Sequence, residues 1–221
     1  MAGHICVIQT SFSNKDDIKE HILALDKSIR VSFLADDTLI TEVMTAGHPT
    51  PSVYSRMCKY AMAAEEMGAD LILNQCSSVG EVADVYAKLV SIPVVKIDQA
   101  MAEAAVRIGG RISLIATVAS TVGPSRRLIE SVAREKGKKV EVKECLVDGA
   151  MAVLFSGDAK KHNEMVRGVI EAEDGKCDAI VMAQGSMMVL LPELKHIKTP
   201  LFASIPTGTR YAVEKLKERI K

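Results

Sequence analysis

The sequence predicts an α/β fold: two pseudo-symmetric domains, each a four-stranded parallel sheet flanked by helices, with the active site in the cleft between them. Three observations lead there. Short, largely apolar runs alternate with segments of helical period along the 221 residues. Most of the runs do not alternate in polarity, as suits strands buried on both faces. The runs also return in the same order at an offset of 107 or 108 residues, which is hard to obtain by chance from strands that merely look alike.

Along the chain, strands are expected at Ile5 to Thr10, Val31 to Ala35, Leu71 to Gln75 and Val94 to Ile97. The second set is Ile112 to Ala116, Val140 to Leu146, Ala179 to Ala183 and Leu201 to Ile205. Val140 to Leu146 alternates with charges and reads as an edge strand. Helical faces lie between them: Ile18, Ile22 and Leu25; Leu128, Ile129, Val132 and Ala133; Met165, Val166, Val169 and Ile170. A helix carrying Val82, Val85, Tyr86 and Leu89 is expected after the third strand. Arg126-Arg127 reads as the solvated start of another helix. The last helix, Thr207 to Ile220, is expected to return to the first half. The domains are therefore 1–98 plus 206–221, and 99–205. No Gly/Ser-rich or Pro-rich linker separates them.

Composition narrows the function. Apolar residues make up 48% and charged residues 25%, an ordinary globular balance. Twenty-eight basic residues cancel 28 acidic ones, which argues against a nucleic-acid or polybasic membrane binder. Trp is absent and aromatics are only 4%, so stacking platforms for bases are not expected. The first nine residues turn polar too soon for a secretory signal. The longest near-apolar runs, Gly149 to Phe155 and Met187 to Pro192, fall far short of the ~20 residues of a spanning helix. The five cysteines show no CxxC spacing, which disfavours zinc ribbons and a disulfide framework and suggests a reducing, cytoplasmic setting. HExxH, GxSxG, GxxxxGK[ST] and GxGxxG are all missing.

In open α/β sheets ligands bind beyond the carboxyl ends of the strands. The repeat thus marks four tips: Thr10-Ser11, Cys76-Ser77-Ser78, Thr117 to Thr121, and Gln184-Gly185-Ser186. Cys76 ends a strand and precedes a helix, where the macrodipole favours a thiolate. A buried structural cysteine is the competing reading of that position. Ser77 and Ser78 suit an N-cap, and the N–H groups after them suit a carboxylate. Cys6, Cys58, Cys145 and Cys177 read as packing residues. Gln184 stands where the repeat puts the counterpart of Cys76; an amide exchanges hydrogen bonds but takes no proton from carbon. Gly185 permits close backbone approach and Ser186 offers a hydroxyl. Thr10, Ser11, Thr117, Ser120 and Thr121 are neutral donors at tips, and the Thr10/Thr117 equivalence raises those two above ordinary turn residues. Asp36-Asp37 and His48-Pro49-Thr50-Pro51 read as solvated loops.

These residues carry a resemblance. Gly68-Ala69-Asp70-Leu71-Ile72-Leu73-Asn74-Gln75-Cys76-Ser77-Ser78, Ile92-Pro93-Val94-Val95-Lys96-Ile97-Asp98, Ile112 to Thr117 and Asp178 to Met187 resemble the aspartate/glutamate/hydantoin racemase superfamily, which includes arylmalonate decarboxylase and maleate isomerase. The resemblance implies a small carboxylic acid as substrate and no metal or other cofactor; a homo-oligomer stays open. In the family's racemases two cysteines flank the carbon beside the carboxylate. The first matches Cys76; the second falls at Gln184, so this chain departs from the two-thiol pattern. Arylmalonate decarboxylase is the precedent for one thiol, on the side that is Gln here. The expected function is a cofactor-independent isomerase working through an enolate or enediolate with one cysteine. A decarboxylase or carbon–carbon lyase and a non-catalytic metabolite binder are the alternatives. Cys76, from a reference pKa of about 8.5, is expected to need only a modest downward shift, and to be alkylated ahead of the other thiols.

Overall fold

The structure, a computed structural model, describes residues 3–12 and 14–220. The elements run β1 (His4–Gln9), α1 (Lys15–Leu25), β2 (Arg30–Ala35), α2 (Thr38–Ala46), α3 (Pro51–Glu66), β3 (Leu71–Asn74), α4 (Gly80–Tyr86) and β4 (Val94–Lys96). They continue with α5 (Gln99–Ile108), β5 (Arg111–Ala116), α6 (Ala119–Glu135), β6 (Glu141–Leu146), α7 (Ala150–Phe155), α8 (Ala159–Glu173), β7 (Ala179–Met182), β8 (Leu201–Ala203) and α9 (Ser204–Arg219). Short 3-10 helices, Ser77–Val79 and Gly185–Leu190, follow β3 and β7. Among the described residues no helix is long and apolar enough to cross a membrane.

Two four-stranded parallel sheets form, in the orders β2-β1-β3-β4 and β6-β5-β7-β8. Their registers repeat as the sequence does. Ile8 pairs with Asn74 as Ile115 pairs with Met182, and Ile72 pairs with Val94 as Ile180 pairs with Leu201. The chain divides into two compact units, Met1–Ile97 with Ile205–Lys221, and Asp98–Ser204.

In the first unit β1 and β3 are buried throughout. Cys6, Ile8 and Ile72 pack with Leu39 and Val43 of α2, Met57 and Ala61 of α3, and Val82 and Tyr86 of α4. Ile5, Val7, Leu71 and Leu73 alternate to the other face and are equally buried, as are Ile18, Ile22 and, on α9, Ala212 and Leu216. In the second unit Ile112, Leu114 and Val181 pack with Met101, Ala105, Ile129 and Val132. Ile115, Ile180 and Met182 pack with Val166, Ile170, Leu190 and Leu194 on the opposite face. Each large side chain so buried contributes roughly 1.5–3 kcal/mol.

An aspartate fixes the start of the central strands in each unit. Asp70 Oδ2 accepts from His4 N at 2.8 Å. Asp178 Oδ2 accepts from Arg111 N at 2.9 Å and Gly110 N at 3.1 Å. Both satisfy the amide at the start of β1 or β5, so the repeat extends to side-chain chemistry.

Several expectations change in detail. Leu25 is exposed at the last turn of α1; Val85 is exposed within α4, which buries Val82, Ala83 and Tyr86 instead, and Leu89 is exposed beyond the helix end at Tyr86. Helix α6 begins at Ala119, ahead of Arg126-Arg127, with Pro124 inside it. Arg126 pairs with Glu130 and Glu144. Helix α9 begins at Ser204, directly after β8, with Pro206 in its first turn, where no N–H is needed. Thr50 caps α3, its hydroxyl accepting from Val53 N at 3.3 Å, and Pro51 occupies the first turn. Asp36 is a tie between elements rather than a solvated loop charge. It accepts from Thr38 N and Oγ1, from Arg56 Nη1 at 2.7 Å and from Tyr60 OH at 2.8 Å. Burial raises its pKa, but hydrogen bonds from Thr38 and Tyr60 and the Arg56 charge outweigh that and hold it below the usual range.

Candidate active site

In the first unit, β1 and β3 lie side by side and end together, so Thr10 and Cys76 follow neighbouring strands at the same end of the sheet. Thr10, Ser77 and Ser78 are buried, while Ser11 and Cys76 keep some exposure. Cys76 is extended, φ −108° and ψ 120°, and leads into the turn Ser77–Val79. That geometry surrounds its sulfur with donors: the Thr10 hydroxyl, the Ser78 N–H and hydroxyl, and the Val79 N–H. Their effect is not enough to lower the thiol. Burial raises its pKa above the ordinary cysteine value, and the four donors only oppose that shift. The expected downward shift is therefore corrected. A three-residue turn followed by a seven-residue helix offers little macrodipole, and desolvation of the thiolate outweighs it.

Two residues that the sequence reading did not single out hold this tip. Asn74 Nδ2 donates to Cys76 O at 3.0 Å, and Tyr86 OH donates to Asn74 Oδ1 at 3.1 Å. Asn74 and Tyr86 are fully buried. The available signal was a lone amide inside an otherwise apolar strand, since a polar side chain there must find partners.

The second unit repeats the arrangement. Gln184 is extended, φ −120° and ψ 145°, and leads into the turn Gly185–Leu190. Its Oε1 accepts from Thr117 N at 2.9 Å and from Thr117 Oγ1 at 3.4 Å. Thr117 thus meets Gln184 as Thr10 meets Cys76. Thr117 and Thr121 are buried; Ser186 is half-buried. Ser120 and Thr121 belong to the first turn of α6 rather than to a loop. Within each unit the structure brings the expected residues to the carboxyl ends of the central strands, but of the tip residues named only Cys76 carries a thiol, the one group among them that ionises in the range of ordinary protein acids. Among the described residues, no group of three or more His, Cys, Asp or Glu stands where it could hold a metal ion.

The family model described as Asp/Glu/Hydantoin racemase matches residues 33–212, well over half of the chain. The chain belongs to the Asp/Glu/hydantoin racemase family. Solved structures share its fold. Glutamate racemase from Francisella tularensis, in complex with D-glutamate, superposes with a TM-score of 0.73 at 13% identity, covering 98% of this chain and 81% of that one. Aspartate racemase from Picrophilus torridus gives 0.74 at 14% identity, covering 98% and 95%. A glycine-to-cysteine variant of arylmalonate decarboxylase in a sulfate-associated form gives 0.63 at 15% identity, covering 97% and 93%. No curated protein matches. As a racemase-family member, the chain presents its strand-tip hydroxyls and thiol where an α/β sheet binds ligands.

Proposed function

We propose that this racemase-family chain moves a proton at the carbon beside the carboxylate of a small acid, without a cofactor, using Cys76 as its proton-transfer group. The observation that carries the reading is the contrast between two equivalent tips: Cys76 is ringed by Thr10, Ser78 and Val79, whereas its counterpart Gln184 has no titratable atom. The tip hydroxyls of each unit, Thr10, Ser11, Ser77 and Ser78 in the first and Thr117, Thr121 and Ser186 in the second, with Gly185 leaving room, are the neutral donors for the substrate and for the enediolate that forms. In the isomerase reaction the Cys76 thiolate removes the proton, the carbon–hydrogen pair moves into the enediolate, and the thiol returns the proton on the same face to a second carbon conjugated with it, so that a double bond shifts. The D-glutamate bound by the Francisella glutamate racemase illustrates the size of acid this fold accommodates.

A second reading has its own support. The raised pKa of Cys76 makes the thiol its resting form, which suits donation to an enediolate formed by loss of carbon dioxide. There the carbon–carbon bond breaks, its pair stays on the enediolate, Sγ–H supplies the proton, and water reprotonates the thiolate. Both readings are tested in heavy water with each enantiomer of an accepted acid. One-base chemistry places deuterium on one face only. Interconversion of both enantiomers, with deuterium entering only in the inverted product, requires a second base and overturns the single-thiol reading.

A further inference from the structure

The side-chain amide of Gln184 has its orientation settled by a neighbour. The Thr117 backbone N–H is a donor only, so the atom it meets at 2.9 Å must be the carbonyl oxygen of Gln184. The Nε2 amine, with two N–H donors, is then turned elsewhere. It is buried, and it has no hydrogen-bond partner among the described residues. The Ser186 hydroxyl, two residues further along the same turn, is likewise buried without a partner among the described residues. Leaving such groups unpaired costs about 1–3 kcal/mol each, so most buried polar groups in native proteins have a partner. Both lie at the carboxyl end of β7, beside the end of β5.

From this we infer that Gln184 and Ser186 form a receptor for an acceptor-only group of the substrate, a second carboxylate or a carbonyl oxygen, and that they disfavour an ammonium there. The inference rests on the proposed substrate class and deepens it: the fixed amide offers N–H groups, which pair with oxygen and cannot pair with –NH3+. Where the family's racemases carry a second thiol, this chain recognises substrate oxygen. Its acid is therefore a dicarboxylate or an oxo acid rather than an α-amino acid.

Titration calorimetry with malonate and with glycine, at neutral pH and on the full chain, tests the inference. Malonate is expected to bind more tightly than glycine. In Gln184→Glu one carboxylate oxygen keeps the Thr117 N–H, while the other replaces the donor by a negative acceptor. Malonate affinity should fall by at least about tenfold, the scale of one lost charge-assisted hydrogen bond, with glycine affinity not reduced. Ser186→Ala should weaken malonate by about threefold or more. If Gln184→Glu fails to fold, Ser186→Ala decides. Either folded variant binding malonate as tightly as the natural protein, or a natural protein that prefers glycine or binds neither, overturns the inference. Calorimetry needs no turnover, so it separates this result from the proposed chemistry: retained activity in Cys76→Ala would remove the thiol mechanism and leave the malonate result standing.

Discussion

At the residue scale the site reduces to one sulfur and one amide at equivalent positions. Cys76→Ala or Cys76→Ser is expected to abolish turnover while the fold survives, because neither alanine nor serine supplies the thiol that takes and gives the proton. Circular dichroism checks the fold, and a substrate-proton exchange assay checks the loss. Retained activity would place the chemistry elsewhere. The burial that raises this thiol also sets its reactivity. In the ligand-free protein Cys76 should alkylate with iodoacetamide slowly at neutral pH, its rate climbing only above the usual thiol range, since the thiolate is the nucleophile. Mass spectrometry of each labelled cysteine across pH reads this directly; a midpoint for Cys76 below the ordinary value would contradict it. The equivalence of Thr10 with Thr117, and of Cys76 with Gln184, was legible as a shared offset in the chain; the contact within each pair was not. The sign of the thiol's shift was not. Helix position is written in the sequence, whereas desolvation depends on everything that packs around the sulfur.

At the scale of elements, the tip of β3 depends on a short chain of hydrogen bonds. Tyr86 OH supports Asn74 Oδ1, and Asn74 Nδ2 supports the carbonyl of Cys76. Tyr86→Phe keeps the packing and removes the hydroxyl, leaving Asn74 Oδ1 buried without that donor. It should cost about 1–3 kcal/mol of stability and lower turnover further by loosening the backbone at Cys76. Urea unfolding measures the first effect and steady-state kinetics the second; a variant as stable and active as the natural chain would show that Asn74 holds the tip alone. The strands were readable because each is a compact apolar run, and the repeat confirmed them in pairs. Helix limits were harder to read. Leu89 continues the apolar period past Tyr86, yet α4 stops there and exposes it. Gly123-Pro124 resembles a break, yet α6 runs through it. In both places local pattern yields to packing, which decides how far a helix usefully extends.

At the scale of the molecule, helix α9 completes the first unit after the chain has built the second. Its close approach is set by Gly208, where an added Cβ would overlap the carbonyl of Ile97, and by Lys217, which pairs with Asp26 at 2.9 Å. The glycine contact was not legible in the sequence, since it depends on two backbones meeting. The ionisable groups then set the pH range of the whole fold. Hydrogen bonds from Lys217 and Ser28 hold the Asp26 carboxyl at about 2. Asp178, through Arg111, and Asp174, through Thr199, are also held below the usual range. A carboxyl depressed in the folded state contributes stability above its unfolded value of about 3.9 and loses that contribution as pH falls through the folded value. Cys6, Cys58, Cys76 and Cys145 are displaced upward, each chiefly by burial. Above about 8.5 the unfolded chain releases thiol protons that the folded chain retains, so stability falls as pH rises through the folded values. Urea midpoints should therefore hold a plateau between about pH 4 and 8.5 and decline on both sides. Asp26→Asn should flatten the acid limb and leave the alkaline limb in place, and Cys6→Ala should do the reverse. A midpoint that rises above pH 9 would mean the buried thiols ionise in the folded protein at least as easily as in the unfolded chain.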